Sequence, residues 1–135
     1  VNARDDLGRT PLHEAAYFGQ PASIDALLER GAEVNARDNL WRTPLHLAAH
    51  LGKPENIVTL LERGAELQAR DKDGLTPLHW AARGPKPSNI VALLDARADG
   101  SARDDHGHTP FDLIEEIDEL RGTDAYRRLD DAQYE

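Results

Sequence analysis

Apolar residues along this chain fall in short stripes rather than long runs. Leu45, Ala48 and Ala49 share one face at helical spacing, and Ile57, Leu60 and Leu61 do the same a few residues later. Thr43 is a good N-cap, and Pro44 suits the first helical position, where its missing N–H costs nothing. Pro54 opens the second helix in the same way. Gly52 and Gly64 are each expected to end a helix by taking a left-handed conformation. Residues 38–42 and 66–70 carry turn residues without helical periodicity. The stretch 38–70 therefore predicts a helix, a turn, an antiparallel helix, and an extended hairpin-like turn projecting sideways. Neither helix is long enough to stand alone. The Leu, Ile and Ala faces must be buried against neighbouring units.

Those neighbours are written into the chain. Thr10-Pro11-Leu12-His13 returns as Thr43-Pro44-Leu45-His46, as Thr76-Pro77-Leu78-His79, and, altered, as Thr109-Pro110-Phe111-Asp112. The interval is 33 residues each time. Asp5, Asp38, Asp71 and Asp104 open the units. Ala15-Ala16, Ala48-Ala49 and Ala81-Ala82 follow the histidines, and Leu27-Leu28, Leu60-Leu61 and Leu93-Leu94 mark the second halves. A fixed period of this size indicates stacked supersecondary units.

This pattern resembles the ankyrin repeat, whose signature is T-P-L-H-x-A on that period. The resemblance runs over nearly the whole chain. Residues 1–4 match the tail of a preceding unit; 5–37, 38–70 and 71–103 are full units; 104–135 is a divergent capping unit. It implies an all-α solenoid of helix–turn–helix repeats joined by extended turns. It also implies a protein–protein interaction module, with partner contacts on the concave face formed by turn tips and first helices. In such repeats the histidine ties turns to helices by hydrogen bonds.

Several positions depart from the repeat. Trp41 stands where Gly8, Gly74 and Gly107 stand, and Arg97 replaces the stop glycine of positions 31 and 64. If that site needs positive φ, arginine costs about 1 kcal/mol relative to glycine. Pro85 occupies the place of Gly19 and Gly52, with Gly84 one position early. The fourth unit loses the histidine (Asp112) and the alanine pair (Ile114-Glu115), and its helices are expected over 110–120 and 123–131.

Composition narrows the rest. The 135 residues are 39% apolar, with no cysteine and no methionine. Neither a membrane-length apolar run nor a signal-peptide pattern occurs, so a soluble protein, cytoplasmic by default, is expected. The chain opens on the end of a unit, which suggests a fragment or processed form of a longer protein. Net charge is −9, and it is lopsided: residues 104–135 hold eleven acids and three bases, while 1–103 are almost balanced. A polar outer face on a terminal unit accounts for this, with a docking site for a basic partner as the alternative. Nucleic-acid binding is disfavoured, because no basic face is clustered.

Enzyme motifs are absent, and no catalytic residue, cofactor or small-molecule substrate is expected. His13, His46 and His79 form a ladder, but equivalent residues of stacked helices stand ~8–10 Å apart, too far to share one zinc ion. Acid pairs such as Asp5-Asp6 fall in surface turns. Glu115-Glu116 and Asp118-Glu119 read as a solvated helix face. Arg4, Arg37, Arg70 and Arg103 precede the opening aspartates. They are expected to be held by those aspartates, with an acidic partner as the alternative.

The candidate partner-binding residues are those that the register places on turn tips and the loop-side ends of first helices. They are Leu7, Arg9, Tyr17 and Phe18 in the first unit, and Leu40, Trp41, Arg42, His50 and Leu51 in the second. Lys72, Leu75, Trp80 and Arg83, with Asp73, complete the set in the third. Four of the seven aromatics lie here. Aromatics and arginine dominate binding hot spots. Trp41 is expected as the central anchor, helped by Tyr17, Phe18 and Leu40. Structural roles compete: Tyr17 and Phe18 could pack on an upstream unit, and Trp80 could be half-buried between units two and three. Two further functions stay open. The chain could be a regulatory or targeting segment contacting another domain of its own polypeptide, or it could self-associate through the open face of the first unit.

Overall fold

A computed structural model of the chain describes residues 1–114 and 122–134. Three helix pairs follow one another: α1 (Pro11–Phe18) with α2 (Pro21–Glu29), α3 (Pro44–Leu51) with α4 (Pro54–Glu62), and α5 (Pro77–Arg83) with α6 (Pro87–Asp95). A 3₁₀ turn (Phe111–Leu113) and α7 (Asp124–Ala132) complete the elements among the described residues, which include no strand. First helices pack on first helices, α1 on α3 on α5, and second helices on second helices, α2 on α4 on α6 on α7. The architecture is the all-α solenoid that the 33-residue period predicts.

The core repeats with the sequence. Leu12, Leu45 and Leu78 are buried at one level, and Ile24, Ile57 and Ile90 at another. Leu60, Leu93 and Leu129 close the outer layer. Each such side chain contributes roughly 1.5–3 kcal/mol by leaving water. Ala16, Ala48, Ala49, Ala81 and Ala82 are also buried, so first helices meet across methyl groups.

Polar ladders connect the units. Thr10, Thr43 and Thr76 cap the first helices through their side chains. The histidine three residues on completes each cap: His46 Nδ1 accepts the Thr43 N–H at 3.1 Å. Its proton therefore sits on Nε2, which donates to the Leu75 carbonyl of the next turn at 2.8 Å. His13 and His79 repeat this with the carbonyls of Arg42 and His108. A second ladder, which the sequence pattern did not point to, comes from asparagines. Asn89 Nδ2 lies within donating distance of the Ala48, Ala49 and Gly52 carbonyls at 3.0–3.4 Å, and Asn56 does the same toward Ala16 and Gly19. These carbonyls lie at the end of a first helix, where intrahelical donors run out. A third ladder bridges the turns: Asn35 accepts the Glu66 N–H and donates to the Gly64 carbonyl.

Some expectations need correction. Gly64 does take the left-handed conformation, at φ +96°. Gly52 does not: its backbone is extended (φ −73°, ψ −176°). Its glycine is required by close approach instead, since a Cβ there would stand 2.5 Å from the Ala16 carbonyl oxygen and 2.7 Å from Ala48 Cα. Of the predicted helix over 110–120, the described residues form a 3₁₀ turn at Phe111–Leu113, followed by Ile114, buried and with extended backbone. Residues 115–121, with the Glu115-Glu116 and Asp118-Glu119 face, lie outside the described residues. Arg97 holds φ +73°, the strained conformation that its neighbours fill with glycine.

Burial pushes the His46 imidazole down to about 4, and burial lowers His13 and His79 as well. Below an ordinary histidine value the unfolded chain binds protons that the fold refuses. Stability is then complete above about pH 6.5 and falls as pH drops toward 4, by roughly 3 kcal/mol for His46 alone. Urea titrations followed by circular dichroism across that interval should show this loss, with little change above neutrality. Gly52→Ala should cost at least about 2 kcal/mol in the same assay, although its φ is open to any residue.

Candidate functional site

Each turn is built on its opening aspartate. Asp38 Oδ1 accepts the N–H groups of Leu40 and Arg42, and its Oδ2 binds Arg42 Nε at 2.7 Å. The same side-chain-to-backbone bonds shape the turns at Asp5, Asp71 and Asp104. Successive turns join by single backbone bonds: the Asn39 N–H donates to Leu7, Lys72 to Leu40, and Asp105 to Asp73. The tip side chains therefore run in a row, Leu7, Leu40, Asp73 and His106. The first helices stand behind this row, and a groove lies between.

The structure gathers some candidate residues and separates others. At the centre of the groove Trp80 donates from Nε1 to Asp71 Oδ2 at 2.9 Å. Arg42 lies over its ring at 5.9 Å, and the His50 ring meets it edge-on at 5.3 Å. Burial holds the His50 imidazole below its ordinary value, with the Arg83 charge adding to it. Trp80 is thus half-buried between the second and third units, and Leu51 is half-buried beside this cluster. Leu75 is buried, only 6% exposed, and offers little surface to a partner. Lys72 and Arg83 are exposed.

The first unit presents the apolar part. Phe18 is 73% exposed and packs edge-on against Tyr17 at 4.4 Å. Leu7 and Leu40 are each 51% exposed. Arg9 sits beside them, half-buried and paired with Asp5 and Glu14 at 3.2 and 3.3 Å. Trp41 is 55% exposed but does not join this group. Trp41 holds a left-handed backbone, φ +62°, and lines a hollow with Arg37, Arg70 and Asp71.

The groove continues into the fourth unit, which the sequence pattern presents as a cap or as a dock for a basic partner. Asp73, Leu75, Arg83, Asp104, His106, His108, Asp112 and Leu113 line a hollow there. Burial pushes the Asp104 carboxyl up, but the N–H groups of His108 and His106 outweigh it and leave the carboxyl below its ordinary value. The signal was available: His106 and His108 lie one period beyond Asp73 and Leu75. Among the described residues no cluster of histidines and carboxylates could hold a metal ion. No helix among them is long and apolar enough to cross a membrane.

Family models described as ankyrin repeats match residues 7–39, 27–81 and 60–114. The chain belongs to the ankyrin-repeat family. Ankyrin repeats are generally protein–protein interaction modules, typically scaffolds rather than enzymes. One curated protein that this chain is similar to is the E3 ubiquitin-protein ligase XB3 of Oryza sativa subsp. japonica, 59% identical over 34 residues. That stretch is 25% of the ankyrin chain and 8% of the ligase.

Replacing Trp80 by Phe should test the groove's central cluster. It removes one hydrogen bond to a buried carboxylate, so thermal stability should fall by about 1–2 kcal/mol. The His50 imidazole should titrate at a different pH by NMR as the packed ring changes.

Proposed function

We propose that the groove between turn tips and first helices is the partner-binding surface of this ankyrin module. The observations that carry the reading are the exposed Leu7 and Leu40 on successive turn tips and the exposed Phe18, packed on Tyr17, at the end of α1. Apolar side chains grouped this way at a surface mark contact sites. Arg9, Arg42, Lys72 and Arg83 edge the row with charge, and Trp80, His50 and Leu51 form its floor. An apolar centre inside a polar rim is the anatomy of a protein–protein interface.

The groove has two halves. Units one and two present apolar side chains. Units three and four present Asp73, Arg83, His106, His108 and Asp112. A partner whose apolar anchor lies on the first half is oriented along the stack by polar contacts to the second. No nucleic-acid, membrane or small-molecule role is needed to account for this surface, and the reading assigns no catalysis to it.

The test is quantitative pull-down with the intact chain as bait against a Phe18→Ser, Leu40→Ser double variant. Both residues are exposed, so the variant should fold. Partner capture should fall at least about tenfold, equivalent to about 1.4 kcal/mol. Undiminished capture by the double variant would remove the groove as the binding surface.

A further inference from the structure

The outer edge of the turns carries a surface that the groove does not use. Arg4, Arg37, Arg70 and Arg103 recur along it at the repeat period. The opening aspartates do not hold them. Each donates instead from Nη1 to backbone: Arg37 to the carbonyls of Trp41 and Arg70, Arg70 to those of Gly74 and Arg103. Arg4 donates to the carbonyls of Gly8 and Arg37, and Arg103 to that of Gly107. None of the four pairs with a carboxylate among the described residues. Asp71, the nearest acid, spends its carboxylate on the N–H groups of Asp73 and Leu75 and on Trp80. The guanidiniums are therefore held by one nitrogen, the four residues are exposed, and each guanidinium has further N–H donors to offer.

Trp41 lies among them. The equivalent positions 8, 74 and 107 are glycine, at φ +78° to +83°. Trp41 adopts the same left-handed conformation at φ +62°, where a bulky side chain is strained. Its ring gains little burial in return, being 55% exposed. A strained backbone that supports an exposed aromatic points to use by something outside the fold.

We propose that Trp41, Arg37 and Arg70 form a second docking surface, for an extended acidic segment of a partner protein. An apolar residue of that segment covers the indole, and carboxylates on either side pair with the two guanidiniums. Arginine suits carboxylates because its donors match their geometry. The arginines stand one repeat apart, ~8–10 Å by helix-packing distance. An extended chain rises about 3.3 Å per residue, so the two carboxylates lie about three residues apart. Nucleic acid is the less suitable anion: four spaced arginines do not neutralise a continuous phosphate backbone.

Fluorescence anisotropy with the full chain tests this. The probe is a labelled peptide, Glu-Pro-Leu-Glu-Pro-Leu-Glu, at low ionic strength, with its all-Gln counterpart as control. The Glu peptide should bind, and the Gln peptide should bind at least about tenfold more weakly. Trp41→Gly should weaken binding by at least about tenfold while leaving the melting temperature unchanged or raised, because glycine relieves the backbone. Arg37→Gln with Arg70→Gln should weaken it similarly. The Phe18→Ser, Leu40→Ser variant should bind the peptide normally, which separates this edge from the groove. Failure of the Glu peptide to bind, full binding by Trp41→Gly, or a fall in its melting temperature would overturn the proposal. So would loss of binding in the groove variant, or a single-stranded RNA oligonucleotide displacing the peptide at equal concentration.

Discussion

A helix of eight or nine residues leaves about half of its backbone polar groups at an end. This fold depends on where those groups find partners. The stacked apolar faces supply the driving force, but they do not fix which unit sits on which, or in what register. Side chains that reach from one unit to the backbone of another fix it. His13, His46 and His79 hold turns to the helices before them. Asn56 and Asn89 cover the carbonyl ends of the preceding first helices. Arg4, Arg37 and Arg70 pin each turn to the next. Every one of these bonds spans about one repeat, so the 33-residue period is a hydrogen-bonding constraint as much as a packing one.

The constraint explains which side chains are free. Arg42 looks like a surface residue in the sequence, yet it is clamped between a buried Asp38 and the face of Trp80. Leu75, one period later, has sunk into the core. Leu7, Leu40 and Phe18 carry no structural duty of comparable weight, and they stand out in solvent. The turn thus presents two different faces. The inner one is apolar and then polar along the stack, and the outer one is basic, with a single aromatic.

Helix starts were legible in the sequence, because Thr-Pro at a cap has one physical meaning and recurs in register. The buried leucines and isoleucines were legible for the same reason. Glycine was less transparent: Gly64 and Gly52 look alike in the sequence, but one serves a left-handed turn and the other a close helix approach. The arginine ladder invited an aspartate partner because the two are adjacent in sequence, whereas extended backbone sends neighbours to opposite sides. Trp41 departs from that alternation, because its backbone is left-handed like the glycines of the equivalent turns. The asparagines went unnoticed because only two of the four units carry them. His106 and His108 were hidden by treating the fourth unit as a cap rather than as the groove's continuation.

The replacement of histidine by Asp112 has a further consequence. It keeps the inward half of the histidine's role, since its carboxylate accepts the Thr109 N–H at 2.9 Å. It has no second nitrogen to hand a proton onward. The array therefore has an ordering rule. The first three units each receive on one side and donate on the other, and could be exchanged as whole blocks. The fourth receives only. Transplanted into the interior, it would set a carboxylate against a carbonyl, two acceptors with no proton between them.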